Sequence, residues 1–146
     1  MSDWKEQEII NLSVEWAQAI RSGYVESVMR LYDDKAVLWG TLSQEMRADR
    51  ESIRRYFTKF EDHEGLNVEF TRSLIRIFGD IAINSGNYTF SWREQGRQIS
   101  VPARFSFIYH YEYGSWLIID HHSSILPDSP FDASKYFVDE SLTETN

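Results

Sequence analysis

The residues from Ser100 to Pro127, SVPARFSFIYHYEYGSWLIIDHHSSILP, constrain the fold more than any other stretch of the chain. Two arms of aromatic and β-branched residues meet at Glu112-Tyr113-Gly114-Ser115, where a glycine supplies the turn, so the pattern predicts a pair of antiparallel strands. With the turn centred on Tyr113-Gly114, Tyr111 faces Trp116, Phe107 faces Asp120 and Ser106 faces His121. Side chains alternate along a strand, which puts Arg104, Ser106, Ile108, Leu117, Ile119, His121 and Ser123 on one face. Phe105, Phe107, Tyr109, Tyr111, Trp116, Ile118, Asp120 and His122 share the other. Neither face reads as plain solvent surface. The grouping is tied to that register, because a slip of one residue re-pairs the arms.

A length of 146 residues suits one domain, and 42% hydrophobic residues are enough for a core. No run approaches the roughly 20 apolar residues of a membrane helix. The N-terminus, MSDWKEQEII, is charged and amphipathic, unlike a signal peptide. The absence of cysteine excludes disulfides and thiolate-zinc chemistry, and the default location is cytoplasmic. A net charge of −8 argues against nucleic acid or an anionic membrane as partner, since both need a cationic surface. The five Trp, eight Tyr and nine Phe exceed what a modest core hides, which predicts a large pocket, a large interface, or both.

Earlier in the chain, Asp3 to Glu6 has the capping-box pattern. Ile9, Leu12, Trp16, Ala17 and Ile20 follow at helical spacing, and Gly23 supplies a stop. Val25, Val28, Met29 and Tyr32 form the stripe of a second short helix. Ala36 to Trp39 reads as a strand and Thr41 to Ala48 as a loop. Asp49 caps a helix with Ile53, Tyr56, Phe57 and Phe60 on one stripe, which Asp62 to Gly65 ends. From Leu66 the period changes to two: Leu66–Phe78 with a bend at Thr71–Ser73, a turn at Gly79-Asp80, Ile81–Trp92, a turn at Gln95-Gly96, Arg97–Tyr111 and Ser115–Leu126. Helices first and a four-stranded meander afterwards predict an α+β domain. Its folded part is residues 1–128. Residues 129–146 read as a partly mobile extension, in which Phe131 to Val138 could form a helical turn and Asp139 to Asn146 an acidic tail.

Several segments together carry a family resemblance: Gln7-Glu8-Ile9-Ile10, Ala19 to Ser27, Phe78 to Ala82 and Gly114 to Ser124. In order and spacing the chain resembles the nuclear transport factor 2-like superfamily, which includes SnoaL-like and ketosteroid isomerase-like proteins. More closely it is similar, over residues 5 to 127, to the association (hub) domain of calcium/calmodulin-dependent protein kinase II and its stand-alone relatives. The resemblance implies a cone-shaped fold, N-terminal helices packed on a strongly curved antiparallel sheet, with a deep pocket. For hub relatives it also implies dimers arranged in two stacked rings. Pocket arginines of the kinase hub hold small carboxylates. Arg104 matches one of them in position and Asn87 falls near a second. Neither a kinase segment nor a basic calmodulin-target helix is present, so the resemblance implies association rather than kinase activity.

The residues themselves suggest where chemistry could sit. Arg104, in an otherwise apolar strand, needs a partner if buried, since an unpaired guanidinium costs several kcal/mol. That partner is either a structural acid (Glu45, Asp33 or Asp34) or a bound anion gripped by the planar fork, with Ser106 and His121 completing a polar cluster. Trp39, Tyr56 and Phe60 are candidates for pocket lining or core. His121 and His122 are adjacent and point to opposite faces, and His63 and His110 are isolated, so no metal is expected. The absence of a Gly-rich phosphate loop means no cofactor is expected. Asp120 and His122 share a face, as a general-base pair or an interface bridge. Phe105, Phe107, Tyr109, Tyr111 and Trp116 with that pair form an outer flank too apolar to stay wet, which predicts a homo-oligomer. Two functions follow. One is a self-associating hub-like domain whose pocket takes a small anionic ligand. The other is a cofactor-free proton-transfer enzyme of the SnoaL or ketosteroid isomerase kind, acting on a small apolar carbonyl compound. His121 is then the candidate base, with a Tyr or Arg104 at the oxyanion.

Overall fold

A computed structural model describes residues 3–127. The extension, including the expected turn at 131–138 and tail at 139–146, lies outside the described residues, as does the side chain of Asp3. The first stripe forms α1 (Asp3–Ser22), with Ile9, Trp16 and Ile20 fully buried, and Gly23 ends it at a left-handed φ of 74°. Val28 and Met29 are buried on the short α2 (Val25–Met29). Tyr32 does not continue that stripe; it opens β1 (Tyr32–Trp39). The strand begins before the apolar run because Tyr32 also pairs with the last strand of the sheet, opposite Ile118, across a register shift between Tyr32 and Val37.

The expected loop contains a short strand, β2 (Met46–Arg47), paired with Leu38 and Trp39. Asp49 caps α3 (Arg50–Phe60), its carboxylate accepting from the Ser52 N–H at 2.8 Å, and Ile53, Phe57 and Phe60 face the core. The meander is β3 (Glu64–Phe78), β4 (Ile81–Glu94), β5 (Arg97–Glu112) and β6 (Ser115–Ile125). Its turns fall at Gly79-Asp80, Gln95-Gly96 and Tyr113-Gly114, where Gln95 and Tyr113 also adopt positive φ, as tight hairpins require.

The strand order is β2-β1-β6-β5-β4-β3. The sheet is mixed and six-stranded rather than purely antiparallel, because β1 lies alongside β6 in parallel. The chain passes between those two strands through β2, α3 and the first three strands of the meander, not through a hairpin. The bend expected at Thr71–Ser73 is a bulge: register shifts between Phe70 and Arg72. Gly86 lies opposite, and the Arg72 backbone carbonyl fills the space where a Cβ would stand.

α1 covers the inner face of the sheet, and Trp16 sits at its centre. Its ring stacks on Tyr88 (5.6 Å between centroids, 7° between planes) and meets Phe107 edge-on at 5.2 Å, with Phe70 and Phe90 around it. Phe105, Phe107, Tyr109, Trp116 and Ile118 complete this core. Tyr111 packs at its edge against Trp116 and Trp4. The aromatic flank expected to face outward is therefore the side the helix buries. This corrects the placement of Phe105, Phe107, Tyr109, Tyr111 and Trp116 at an interface. A flank this rich in rings is the face that gains most from covering, so α1 takes it.

Register explains the second correction. Tyr111 faces Trp116 as expected, but Tyr109 pairs with Ile118 and Ile108 with Asp120, leaving Ile119 as an extra residue. Beyond this bulge, Phe107 faces His121 and Ser106 faces His122. His121 and Ser123 thus turn into the core, while Asp120 and His122 turn out.

Where α3 ends, Glu61 lies against the α1–α2 turn at Gly23 with both carboxylate oxygens shut off from solvent and no hydrogen-bond partner. Burial raises its pKa to about 7, and the Gly23 backbone offsets only part of that. An acid whose pKa rises on folding favours the folded chain at low pH. That contribution is lost as pH climbs from the unfolded value of 4.5 through about 7. Glu61→Gln is expected to raise Tm by a few degrees at pH 8 and leave it unchanged at pH 4; equal Tm values at pH 8 would contradict this.

Candidate functional site

The site begins where β1 leaves the sheet. Gly40 lets the chain turn across the Tyr56 ring, which occupies the place of a Cβ there. The segment after Gly40 separates two clefts, with Ser43 and Gln44 lining both.

The first cleft, about 380 Å³, lies at the outer face of the sheet and is lined by Trp39, Thr41, Arg104, His122 and Ser124 among others. Trp39 and His122 are neighbours across β1–β6, their rings stacked at 5.9 Å and 27°. Arg104 is exposed here, not buried at a pocket floor. No carboxylate, including those of Asp33, Asp34 and Glu45, comes within 4 Å of it among the described residues. Solvation removes the need for the internal ion pair that its apolar surroundings in sequence suggested. Asn87 lies opposite Arg104 across β4–β5, its amide pointing at the Ala103 carbonyl at 3.5 Å. Ser106 shares the outer face, opposite His122.

His121 is instead in the core, 2% exposed, between two tyrosines. Nδ1 lies 2.8 Å from the Tyr32 hydroxyl and Nε2 lies 3.0 Å from the Tyr88 hydroxyl. The Trp16 indole N–H, which can only donate, gives its proton to Tyr32 oxygen at 3.2 Å. A directional chain satisfies every member. Tyr32 donates to Nδ1, Nε2–H donates to Tyr88, Tyr88 donates to Ser123 Oγ at 2.7 Å, and Ser123 contacts Thr41 at the cleft floor. Burial, then the neighbouring His122, pushes the His121 pKa down to about 3, so the imidazole is neutral. Burial raises the phenols of Tyr32 and Tyr88. With both ring nitrogens engaged inside the protein, His121 offers no free base to a substrate.

Arg104, Trp39 and His122 are thus brought together, with Asn87 and Ser106 nearby on the same face. His121 reaches the cleft only through Tyr88 and Ser123. Sequence reasoning missed Tyr32, Tyr88, Ser123 and Thr41; the signal available was that a buried tyrosine hydroxyl requires a partner.

Tyr56 belongs to the second cleft, about 540 Å³, between α3 and the loop into β2. Arg47, Arg55, Lys59, Phe60 and His63 are among its other lining residues. Burial raises the Tyr56 phenol, partly offset by the Thr41 hydroxyl and the backbone of Leu42.

A family model described as the calcium/calmodulin dependent protein kinase II association domain matches residues 5–127. A Xanthomonas campestris structure assigned to that same domain is 36% identical, covers 83% of this chain and 87% of its own, and superposes with a TM-score of 0.78. The association domain of C. elegans CaMKII is similar in fold at 16% identity, covering 84% and 97%, with a TM-score of 0.71. A Streptomyces avermitilis protein of the NTF2-like family, assigned as a dehydratase, is similar in fold at 13% identity, covering 88% and 100%, with a TM-score of 0.79. Among curated proteins, none matches the chain.

Proposed function

The chain belongs to the calcium/calmodulin dependent protein kinase II association domain family, and we propose that it is a homo-oligomerising, hub-like domain that assembles through the outer face of its sheet and holds a small carboxylate beside Arg104. The observation that carries this reading is the bareness of that face. α1 covers the inner side, and among the described residues no helix lies on the outer one. By strand alternation the outer side presents Val37, Ile83, Ile108 and Leu117, continued by Leu74 and Phe78 at 55% and 58% exposure. Arg76 stands between Leu74 and Phe78 on that edge, opposite Ile83, with its guanidinium over the Phe78 ring. Apolar exposure of this kind is still more than a monomer usually leaves bare, and an obligate partner interface buries more than about 2,000 Å².

Asp120 and His122 lie on this same side, consistent with the interface bridge proposed for them. Asp120 is half-buried among apolar neighbours, which raises its carboxyl pKa despite His122 nearby. The test is the particle mass in solution by light scattering. A multiple of 17.3 kDa supports the reading, and a monomer at high concentration overturns it.

The ligand part rests on Arg104, a fork with no carboxylate partner among the described residues, at the mouth of a cleft with an aromatic wall. Succinate is expected to raise Tm of the wild type and not of Arg104→Ala, through linkage of binding to folding. An equal rise in both proteins would remove Arg104 from the site.

No helix among the described residues is long and apolar enough to cross a membrane.

A further inference from the structure

The second cleft carries a feature that neither assembly nor the Arg104 site explains. On a chain of net charge −8, it gathers Arg47, Arg55 and Lys59 around Tyr56 and Phe60. Among the described residues no carboxylate comes within 4 Å of any of the three cations. Arg55 and Lys59 are exposed and four residues apart on α3, a spacing at which like charges repel. Arg47 is fixed in place. Its Nη1 donates to the Ser52 carbonyl at 3.0 Å, its Nη2 to Ser43 Oγ at 3.4 Å, and its guanidinium lies 5.6 Å from the Tyr56 ring centroid. Its Nε is closed to solvent and has no partner.

The cleft is thus a preformed concave site with a rigid cation inside and two longer-reaching cations at its rim. Glu45 is the one carboxylate among its lining residues. Three positive groups against one negative leave the lining two charges short of neutral, the complement of a dianion. Its floor is aromatic: Tyr56 and Phe60 both line it, stacked on each other at 5.7 Å with 21° between their planes. About 540 Å³ is room for a ring with substituents rather than for a simple ion.

We propose that this cleft binds a planar aromatic dicarboxylate, its ring against Tyr56 and Phe60, one carboxylate toward Arg47 and the other between Arg55 and Lys59. The Arg104 cleft opens on the other side of Ser43-Gln44, so the two sites can be separated by mutation.

The probe is isophthalate, titrated calorimetrically into the full chain at low ionic strength. The wild type is expected to bind it saturably, one per chain, and the double variant Arg55→Gln/Lys59→Gln to bind about tenfold more weakly or less, as for loss of a charge-assisted contact. Both residues are exposed, so the variant keeps its fold and its circular dichroism. Arg104→Gln should bind isophthalate as the wild type does, and the puckered cyclohexane-1,3-dicarboxylate should bind more weakly than the aromatic acid. Absence of saturable binding, equal affinity in the double variant, loss of binding in Arg104→Gln alone, or equal affinity for the puckered acid would each overturn the proposal.

Discussion

Ile108→Glu is expected to reduce the particle mass to that of a single 17.3 kDa chain while leaving the far-ultraviolet circular dichroism intact. Ile108 lies mid-way along β5 on the outer side, opposite Ile83 on one neighbouring strand and Asp120 on the other. In the isolated subunit a glutamate there has water beside it, so the cost to the fold is small. In an assembly closed over this face the same carboxylate is buried among Val37, Ile83 and the half-buried Asp120, a like charge without a partner. Burying an unpaired carboxylate costs several kcal/mol, and a two-fold interface incurs the cost twice. A change of that size shifts an association constant by orders of magnitude. Tyr109→Glu and Trp116→Glu provide the contrast: both positions are inside the core, so those substitutions should unfold the chain rather than dissociate it. A full-mass assembly from Ile108→Glu, or a soluble folded monomer from Tyr109→Glu, would show that the two faces had been assigned the wrong way round.

That contrast marks the boundary of what could be read from the chain. Glycine turns, the stripes of α1 and α3, the Asp49 cap and the bulge near Thr71 each leave a local signal, and all were legible. The inside of the β5–β6 hairpin was not. Both of its faces carry large apolar residues, so alternation gives the grouping without saying which side a helix will cover. The bulge at Ile119 was hidden for a related reason. It lies in the run Leu117-Ile118-Ile119, where every residue is apolar and an extra one leaves no break in the pattern. Its consequence is large, because it turns His121 into the core and His122 out. Arg104 was misread because an arginine in an apolar strand looks buried, whereas here it sits on the uncovered side. The chain through Tyr32, His121, Tyr88, Ser123 and Thr41 draws on β1, β6, β4 and the loop after β1, and no spacing in the sequence predicts such a meeting.

His121 should make the fold acid-labile. Protonating it in place forces both ring nitrogens to donate, and Tyr32, which already accepts from Trp16, would lose the acceptor for its own proton. The folded chain therefore holds a neutral imidazole down to about pH 3, while the unfolded chain takes up a proton near 6.5. A base whose pKa falls on folding stabilises the native state above the unfolded value and loses that contribution as pH drops through the interval below it. One such proton gives a slope of up to about 1.4 kcal/mol per pH unit, so a few units consume much of the roughly 5–15 kcal/mol stability of an ordinary domain. Glu61 works in the opposite direction between about pH 4.5 and 7 and offsets the His121 slope over the interval they share, so the His121 effect is read with Glu61→Gln in place. With Glu61→Gln as the background, denaturant unfolding measured between pH 7.5 and pH 4 should show stability falling steadily on acidification. His121→Phe should be weaker at pH 7.5 by about 2–4 kcal/mol, since it leaves the Tyr32 and Tyr88 hydroxyls short of a partner. Its acid limb should also be shallower, so the two curves converge toward pH 4. Parallel limbs would mean that the imidazole does not titrate on unfolding, and the neutral hydrogen-bonded chain from Trp16 to Thr41 could not then be the arrangement that holds the core.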